Sequence, residues 1–235
     1  MRLFHAALLC LIAWPALGQD GYRWVAEPRF TSAGAAHRGV VPLQEGTLWG
    51  LMGADGAWVA PPQFDAVGGA GIGRFAVQSG GKWGVVDLAG KPVLPFEFDA
   101  VGTPAEVTPV LWQGNWYGVT EEGQALEPPL GIDRLTGNDG PCILGSRDGQ
   151  AVADWRGQEP NVASGPGVLN QPGDGNAVYD AGGVFGHLDC AYGTIIGGTP
   201  VWDEARRFSE GLAAVRRGTG WGFAGPFGSA LEIGG

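Results

Sequence analysis

The sequence predicts an all-β chain of tandem units of about 34 residues, each with three short strands, arranged as a closed propeller-like ring or a short β-solenoid. Three observations carry this expectation. Trp-Gly pairs stand 34 residues apart at Trp49-Gly50 and Trp83-Gly84, and another stands at Trp221-Gly222. Phe-Asp pairs repeat in the same step, at Phe64-Asp65 and Phe98-Asp99. Short apolar runs are cut throughout by Gly, Pro and Asn turns, and no window beyond the amino-terminal run keeps a sustained helical period. Self-similarity at a fixed period of this size marks a stacked array, in which no unit buries its own apolar face alone.

The elements follow in chain order. Arg2, the uncharged run Leu3–Leu17 and the small-residue end Ala16-Leu17-Gly18 read as a secretory signal peptide over residues 1–18. The run is short for a membrane span, and Pro15 interrupts it. Residues 19–235 then form one β-repeat domain of about six units. The run Tyr22–Ala26 resembles a third strand without its first two, and is expected to pair with the last unit and close a ring. Glu27-Pro28-Arg29-Phe30 stands 34 residues before Pro61-Pro62-Gln63-Phe64. In the clearest unit the strands are Arg74–Gln78, Lys82–Asp87 and Pro92–Pro95, separated by Gly turns. The cluster Gly68–Gly73 precedes a strand, not a helix, and so is no phosphate cradle. Later copies place Tyr117-Gly118, the worn Ala151-Val152 and Phe185-Gly186 in the Trp-Gly column, with Trp202-Asp203 in the Phe-Asp column. Leu43, Val77, Tyr179 and Val215 stand six residues before the aromatic of their units, and Val110 fills that place one residue early. Gly157–Gly175 reads as a long loop. The Gly beside each Trp removes a Cβ, so that a neighbouring strand or ring can come close.

The phrases Gly81-Lys82-Trp83-Gly84-Val85-Val86-Asp87, Pro61-Pro62-Gln63-Phe64-Asp65, and Phe208–Val215 leading into Gly220-Trp221-Gly222-Phe223 resemble the WG-repeat (KWG-repeat) family of bacterial proteins. The resemblance implies β-rich tandem repeats, often exported, with no established catalytic activity. The repeat signature is structural, so no catalytic residue carries over from it.

Composition narrows the function further. The chain has 44 Gly among 235 residues, and its 24 acidic residues against 14 Lys and Arg give a net charge of -10. An acidic field repels phosphates, which argues against a nucleic-acid partner. Hydrophobic content of 44% argues against disorder. Beyond the signal peptide two cysteines remain, Cys142 and Cys190, and an oxidising compartment favours their pairing. Closing that loop contributes roughly 4 kcal/mol in the chain-entropy picture.

Catalytic constellations are sparse. Only His37 and His187 remain in the mature chain, and no nucleophile elbow is present. His187, Asp189 and Cys190 lack the further ligands that zinc needs, and Asp174 with Asp180 lacks the closing Glu of a calcium loop. Asp65, Asp99, Asp133 and Asp203 recur once per unit, which suits turn capping rather than a special catalytic pair. No metal or cofactor is expected. The candidate binding surface is Trp58, Trp112 and Trp155, with a basic concentration at Arg206, Arg207, Arg216 and Arg217; Trp202 falls in the core column. The expected function is that of a non-catalytic binding module in the periplasm or secreted, monomeric, whose partner is a protein or an envelope glycan. The alternatives are a hydrolase of an envelope polymer using carboxylates in a repeat groove, and a purely structural envelope component.

Overall fold

The computed structural model describes residues 24–140, 142–155, 161–162, 168–225 and 230–231. The signal-peptide assignment and Tyr22-Arg23 lie outside the described residues. The described residues contain no helix, and their strands form six antiparallel sheets in which sequence neighbours pair. The first sheet holds β1 (Ser32–Ala33), β2 (Val40–Glu45), β3 (Leu48–Gly53) and β4 (Trp58–Phe64). The second holds β5 (Ala66–Gly71), β6 (Arg74–Ser79), β7 (Lys82–Asp87) and β8 (Pro92–Phe98). The third holds β9 (Ala100–Val101), β10 (Val107–Trp112) and β11 (Asn115–Thr120). The fourth holds β12 (Arg134–Asp139), β13 (Cys142–Arg147), β14 (Gln150–Trp155) and β15 (Asn161–Val162). The fifth holds β16 (Val168–Gly173), β17 (Asn176–Asp180), β18 (Phe185–Asp189) and β19 (Thr194–Ile195). The sixth holds β20 (Glu204–Ala205), β21 (Ala213–Arg217), β22 (Gly220–Ala224) and β23 (Ala230–Leu231).

Five of the six sheets thus have four strands, not the expected three. The missed strand is the first of each unit. It is Gly-rich or polar, as in Ala66–Gly71 and Val168–Gly173, and lacks the β-branched run that marks a strand in sequence. Consequently the cluster Gly68–Gly73 lies largely within β5, and the expected loop Gly157–Gly175 contains β15 and β16. Ile72-Gly73, both at positive φ, make the tight turn from β5 to β6, and Arg38-Gly39, Asp174-Gly175 and Glu210-Gly211 repeat it.

The first three units join at a single Asp. Asp65 alone separates β4 from β5, and Asp99 alone separates β8 from β9. The main-chain N–H groups of Asp65, Asp99, Asp133 and Asp203 donate to the carbonyls of Gln78, Leu111, Ser146 and Arg216, at 2.7–2.9 Å. At the first two junctions the chain therefore leaves one sheet and enters the next without a loop.

Every sheet has a leading face, turned to the next unit, and a trailing face, turned to the previous one. Leu51, Ala60 and Phe64 of the first sheet pack on Phe75, Val77 and Val86 of the second. Val85, Leu94 and Phe98 pack on Val110 and Val119 of the third. Trp116 and Leu130 meet Ile143 and Val152; Leu144 and Ala151 meet Tyr179 and Leu188; Phe185 and Trp202 meet Val215 and Ala224. The core is this series of five interfaces, each formed by two apolar sheet faces.

The Trp-Gly pair works as its chemistry suggests. Trp49 pairs with Phe64 and Leu51 with Ala60, so Pro61, Pro62 and Gln63 bulge opposite Gly50. A Cβ on Gly50 would sit 2.8 Å from both the Ala60 oxygen and the Pro62 nitrogen. Gly84 faces the bulge Pro95–Glu97 in the same way, with a Cβ meeting the Leu94 and Pro95 oxygens at 3.0 Å.

In the third unit the expected column is one residue out. Trp116, not Tyr117, carries the leading face, while Tyr117 turns to the second sheet. A one-residue deletion explains this, and it explains why Val110 fell one place early. In the worn fourth unit Ala151 does occupy the Trp position, and Tyr179 from the fifth sheet fills the vacated space. The same interface carries the Cys142–Cys190 disulfide, with Cα atoms 5.7 Å apart, which ties the fourth sheet to the fifth.

Trp24–Ala26 is not a strand and does not pair with the sixth sheet. Val25 instead lies against Gly56 at the β3–β4 turn, and Phe30 meets Trp58 edge-on at 5.7 Å between centroids. Packing against the first sheet thus replaces the expected ring closure by this segment.

Gly50→Ala is expected to cost about 1–3 kcal/mol by overpacking against the bulge, read by chemical denaturation; an unchanged midpoint would contradict the close-approach role. Replacing Cys142 and Cys190 together by Ala is expected to lower stability by about 4 kcal/mol, with the loss absent when wild type is measured under reducing conditions.

Candidate functional site

A cavity of about 750 Å³ lies where the first strands of successive units converge. β5, β9, β12 and β16 line it, and Arg207, just past β20, adds the sixth unit. Crowding near this convergence explains the glycines of the first strands. A Cβ on Gly69 would lie 3.1 Å from the Thr103 Cα, and one on Gly102 would lie 2.6 Å from the Asn138 Oδ1. Gly71 and Gly173 approach the carbonyls of Pro104 and Phe208 of the following units.

Side chains staple adjacent first strands. Asn138 is buried; its Oδ1 accepts the Thr103 N–H at 2.8 Å, and its Nδ2 donates to the Thr103 carbonyl at 2.7 Å. Thr136 donates to the Leu169 carbonyl at 3.2 Å. His37 Nε2 accepts the Gly73 N–H at 2.9 Å between the first and second units. The cavity wall is therefore held by hydrogen bonds across units, and amide and hydroxyl side chains line it together with the apolar Val101, Leu135 and Pro172. Two charged residues line it, Asp139 and Arg207.

A second cavity of about 320 Å³ lies between the fifth and sixth sheets, lined by His187, Trp202, Phe208 and Arg217 among others. His187 is buried, lies 2.8 Å from the Arg206 carbonyl through Nε2, and meets the Phe208 ring at 4.6 Å. Burial pushes its pKa below the ordinary histidine value, against the hydrogen bond to Arg206, which raises it. The ring is therefore a neutral donor that ties one unit to the next.

The residues singled out from the sequence are dispersed. Asp65, Asp133 and Asp203 cap the next unit's hairpin turn, accepting the N–H groups of Gly81, Asp148 and Gly218 at 3.4, 2.7 and 2.5 Å. Asp99 instead pairs with Lys82 at 2.6 Å. These carboxylates build the array and do not converge. Cys190 is in the disulfide, Asp189 accepts the Ala191 and Tyr192 N–H groups, and Asp174 accepts the Gly211 N–H. Among the described residues no three His, Cys, Asp or Glu side chains gather as a metal site requires.

The four arginines do not form one patch. Strand alternation sends Arg216 to the leading face of the sixth sheet and Arg217 to the trailing face, where it lies 4.9 Å from the Trp202 ring. Arg206 pairs with Glu204, and Arg207 turns to the large cavity. Trp58 is half-buried under Phe30, so it packs rather than presents a free plate. Trp112 is exposed and stands edge-on to Tyr117. The Trp155 side chain lies outside the described residues. Trp202 joins the core between the last two sheets, as its column implies. The cavity residues Thr103, Thr136 and Asn138 were missed from the sequence; the turn at Asp139-Gly140, with Gly140 at positive φ ahead of β13, was the available signal for β12, which carries Thr136 and Asn138.

A family model described as "WG containing repeat" matches residues 49–83, 83–106 and 199–223. No curated protein matches the chain. Among solved structures, the chain is similar to Hsv2 of Kluyveromyces lactis at 8% identity, with a TM-score of 0.51, covering 81% of this chain and 72% of that one. It also resembles apo AztD of Citrobacter koseri at 11% identity, with a TM-score of 0.49, covering 85% and 71%. At these identities the likeness concerns the fold alone.

Because the folded state holds His187 neutral and the unfolded chain protonates it below about pH 6.5, its contribution to stability is complete above that value and is lost as the pH falls through it. Chemical denaturation across that window is expected to show a decline that His187→Gln flattens. An identical decline in both proteins would place the acid sensitivity elsewhere.

Proposed function

We propose that this chain, which belongs to the WG-containing repeat family, is an exported, non-catalytic binding module whose ligand seat is the large cavity at the first strands. The observation that carries the reading is convergence: four successive units bring their first strands to one cavity, and Arg207 reaches it from the sixth unit. A straight solenoid would hold those strands apart in a row, so the convergence supports the propeller-like arrangement. Export is supported by the amino-terminal run and by the Cys142–Cys190 bridge.

The lining supports binding over hydrolysis. Among the described residues Asp139 is the one carboxylate on the cavity wall, whereas glycoside hydrolysis uses two flanking acids. Amide, hydroxyl and backbone groups with one cation and one anion suit a polar peptide segment of a partner protein. Among the described residues the wall has no aromatic plate on which a sugar ring would stack, which favours peptide over envelope glycan.

Capture by the mature chain from an envelope extract, with and without muramidase, tests this. Reversing the two cavity charges, Asp139→Lys with Arg207→Glu, is expected to weaken capture at least about tenfold without altering the melt, and muramidase is expected to leave capture intact. Capture that survives the reversal but is lost in Trp112→Ala would move the site to the outer surface and overturn the assignment.

A further inference from the structure

The fourth unit lacks the aromatic plate that fills one slot in each unit before it. In the second sheet Gln78 pairs with Trp83, and in the fourth Ser146 pairs with Ala151, so Ala151 stands where Trp83 stands. The first strands align in the same register. Ala66 pairs with Gln78 and Val67 with Val77, while Arg134 pairs with Ser146 and Leu135 with Gly145. Trp83 runs over its own first strand, where a Cβ on Gly68 would lie 3.1 Å from the ring, and it packs with Val101 of the next unit. Trp49 packs with Val67 and Trp116 with Leu135, each at the position that Val101 holds. The fifth unit supplies Leu169 at that position, buried, but Ala151 brings only a methyl group to meet it.

Tyr179 takes up part of the space, and a cavity of about 180 Å³ remains beside it. Ala151, Ser146, Thr136, Arg134, Val168 and Leu169 are on its wall. Val168 is left 55% exposed, an apolar side chain without cover. Two ties fix the sheets around this gap: the Cys142–Cys190 bridge, and the Thr136 hydroxyl donating to the Leu169 carbonyl at 3.2 Å. They oppose the collapse by which a core otherwise relaxes around lost volume.

The chemistry of the wall names the occupant. An apolar cavity of about 150 Å³ takes up a benzene ring, and the equivalent slot in the first three units holds an indole. Arg134 stands where the second and third units have Ala66 and Ala100, so this copy of the slot alone among the four acquires a cation. No described carboxylate pairs with Arg134. A guanidinium recognises a carboxylate through two parallel N–H donors. We propose that the slot binds a small aromatic acid, its ring in the seat of the missing Trp and its carboxylate on Arg134. The charges of the large cavity, Asp139 and Arg207, take no part, so this site stands apart from the peptide seat.

Titration calorimetry of the mature chain tests this, with indoleacetate as the probe and indoleacetamide as its uncharged counterpart. Wild type is expected to bind indoleacetate at one site, at least about tenfold more tightly than indoleacetamide. Arg134→Gln, at an exposed position, is expected to remove that difference. Ala151→Trp with Thr136→Gly rebuilds the pair found in the second unit and is expected to abolish binding of both probes. Asp139→Lys with Arg207→Glu is expected to leave binding unchanged, so that failure here and failure of the large-cavity reading are told apart. Wild type that binds neither probe, or binds both equally, would overturn the inference. So would unchanged indoleacetate affinity in Arg134→Gln or in the folded Trp variant, or loss of binding on reversal of the large-cavity charges. Should the Trp variant unfold, the Arg134→Gln comparison decides by itself.

Discussion

A small antiparallel sheet has two faces and no interior. That constraint governs this molecule: every sheet must bury a leading and a trailing face, and it finds cover only on its neighbours. The matched faces are consequently the main determinants of sequence. Leu51 opposes Phe75 and Val77 across the first interface, and Val85 opposes Val110 and Val119 across the second. Where the large residue is lost, the neighbour compensates. Ala151 stands in place of Trp, Tyr179 enters from the following sheet, and the Cys142–Cys190 bridge crosses the same interface. Covalent linkage thus falls where the aromatic plate is missing.

The same stacking shapes the candidate site. Successive units turn about their first strands, and those strands meet where room for side chains runs out. Gly69, Gly71, Gly102 and Gly173 are the result, since a Cβ at any of them would press on the next unit. The cavity that remains is walled by amide, hydroxyl and small apolar groups, with Asn138 clamping Thr103 from the adjacent unit. Binding capacity on this account is a property of several units together, held rigid by the interfaces outside it.

Much of the repeat could be read from residues alone. The Trp-Gly and Phe-Asp columns located the second to fourth strands, because those strands carry large apolar side chains in fixed register. The role of the recurring Asp as a turn cap was legible for the same reason, since a residue repeated in every unit serves the repeat. The first strands were not legible. Ala66–Gly71 has almost no apolar alternation, as its surroundings exclude side chains, and a strand without side chains leaves little trace in sequence. The slip from Tyr117 to Trp116 followed from applying a strict period to a unit shortened by one residue. The arginine pairs misled for a different reason: neighbouring residues in a strand point to opposite faces, so adjacency in sequence separated Arg216 from Arg217 in space.

The claim beneath all of this is that stability resides between the sheets. A double-mutant cycle across the first interface tests it most directly, with Leu51→Ala and Phe75→Ala measured singly and together by chemical denaturation. Both residues are fully buried, and they reach the same cluster from different sheets. The account predicts an interaction energy of about 0.5–3 kcal/mol between them. Losses that simply add would mean the two sheets are stable independently, and would contradict it.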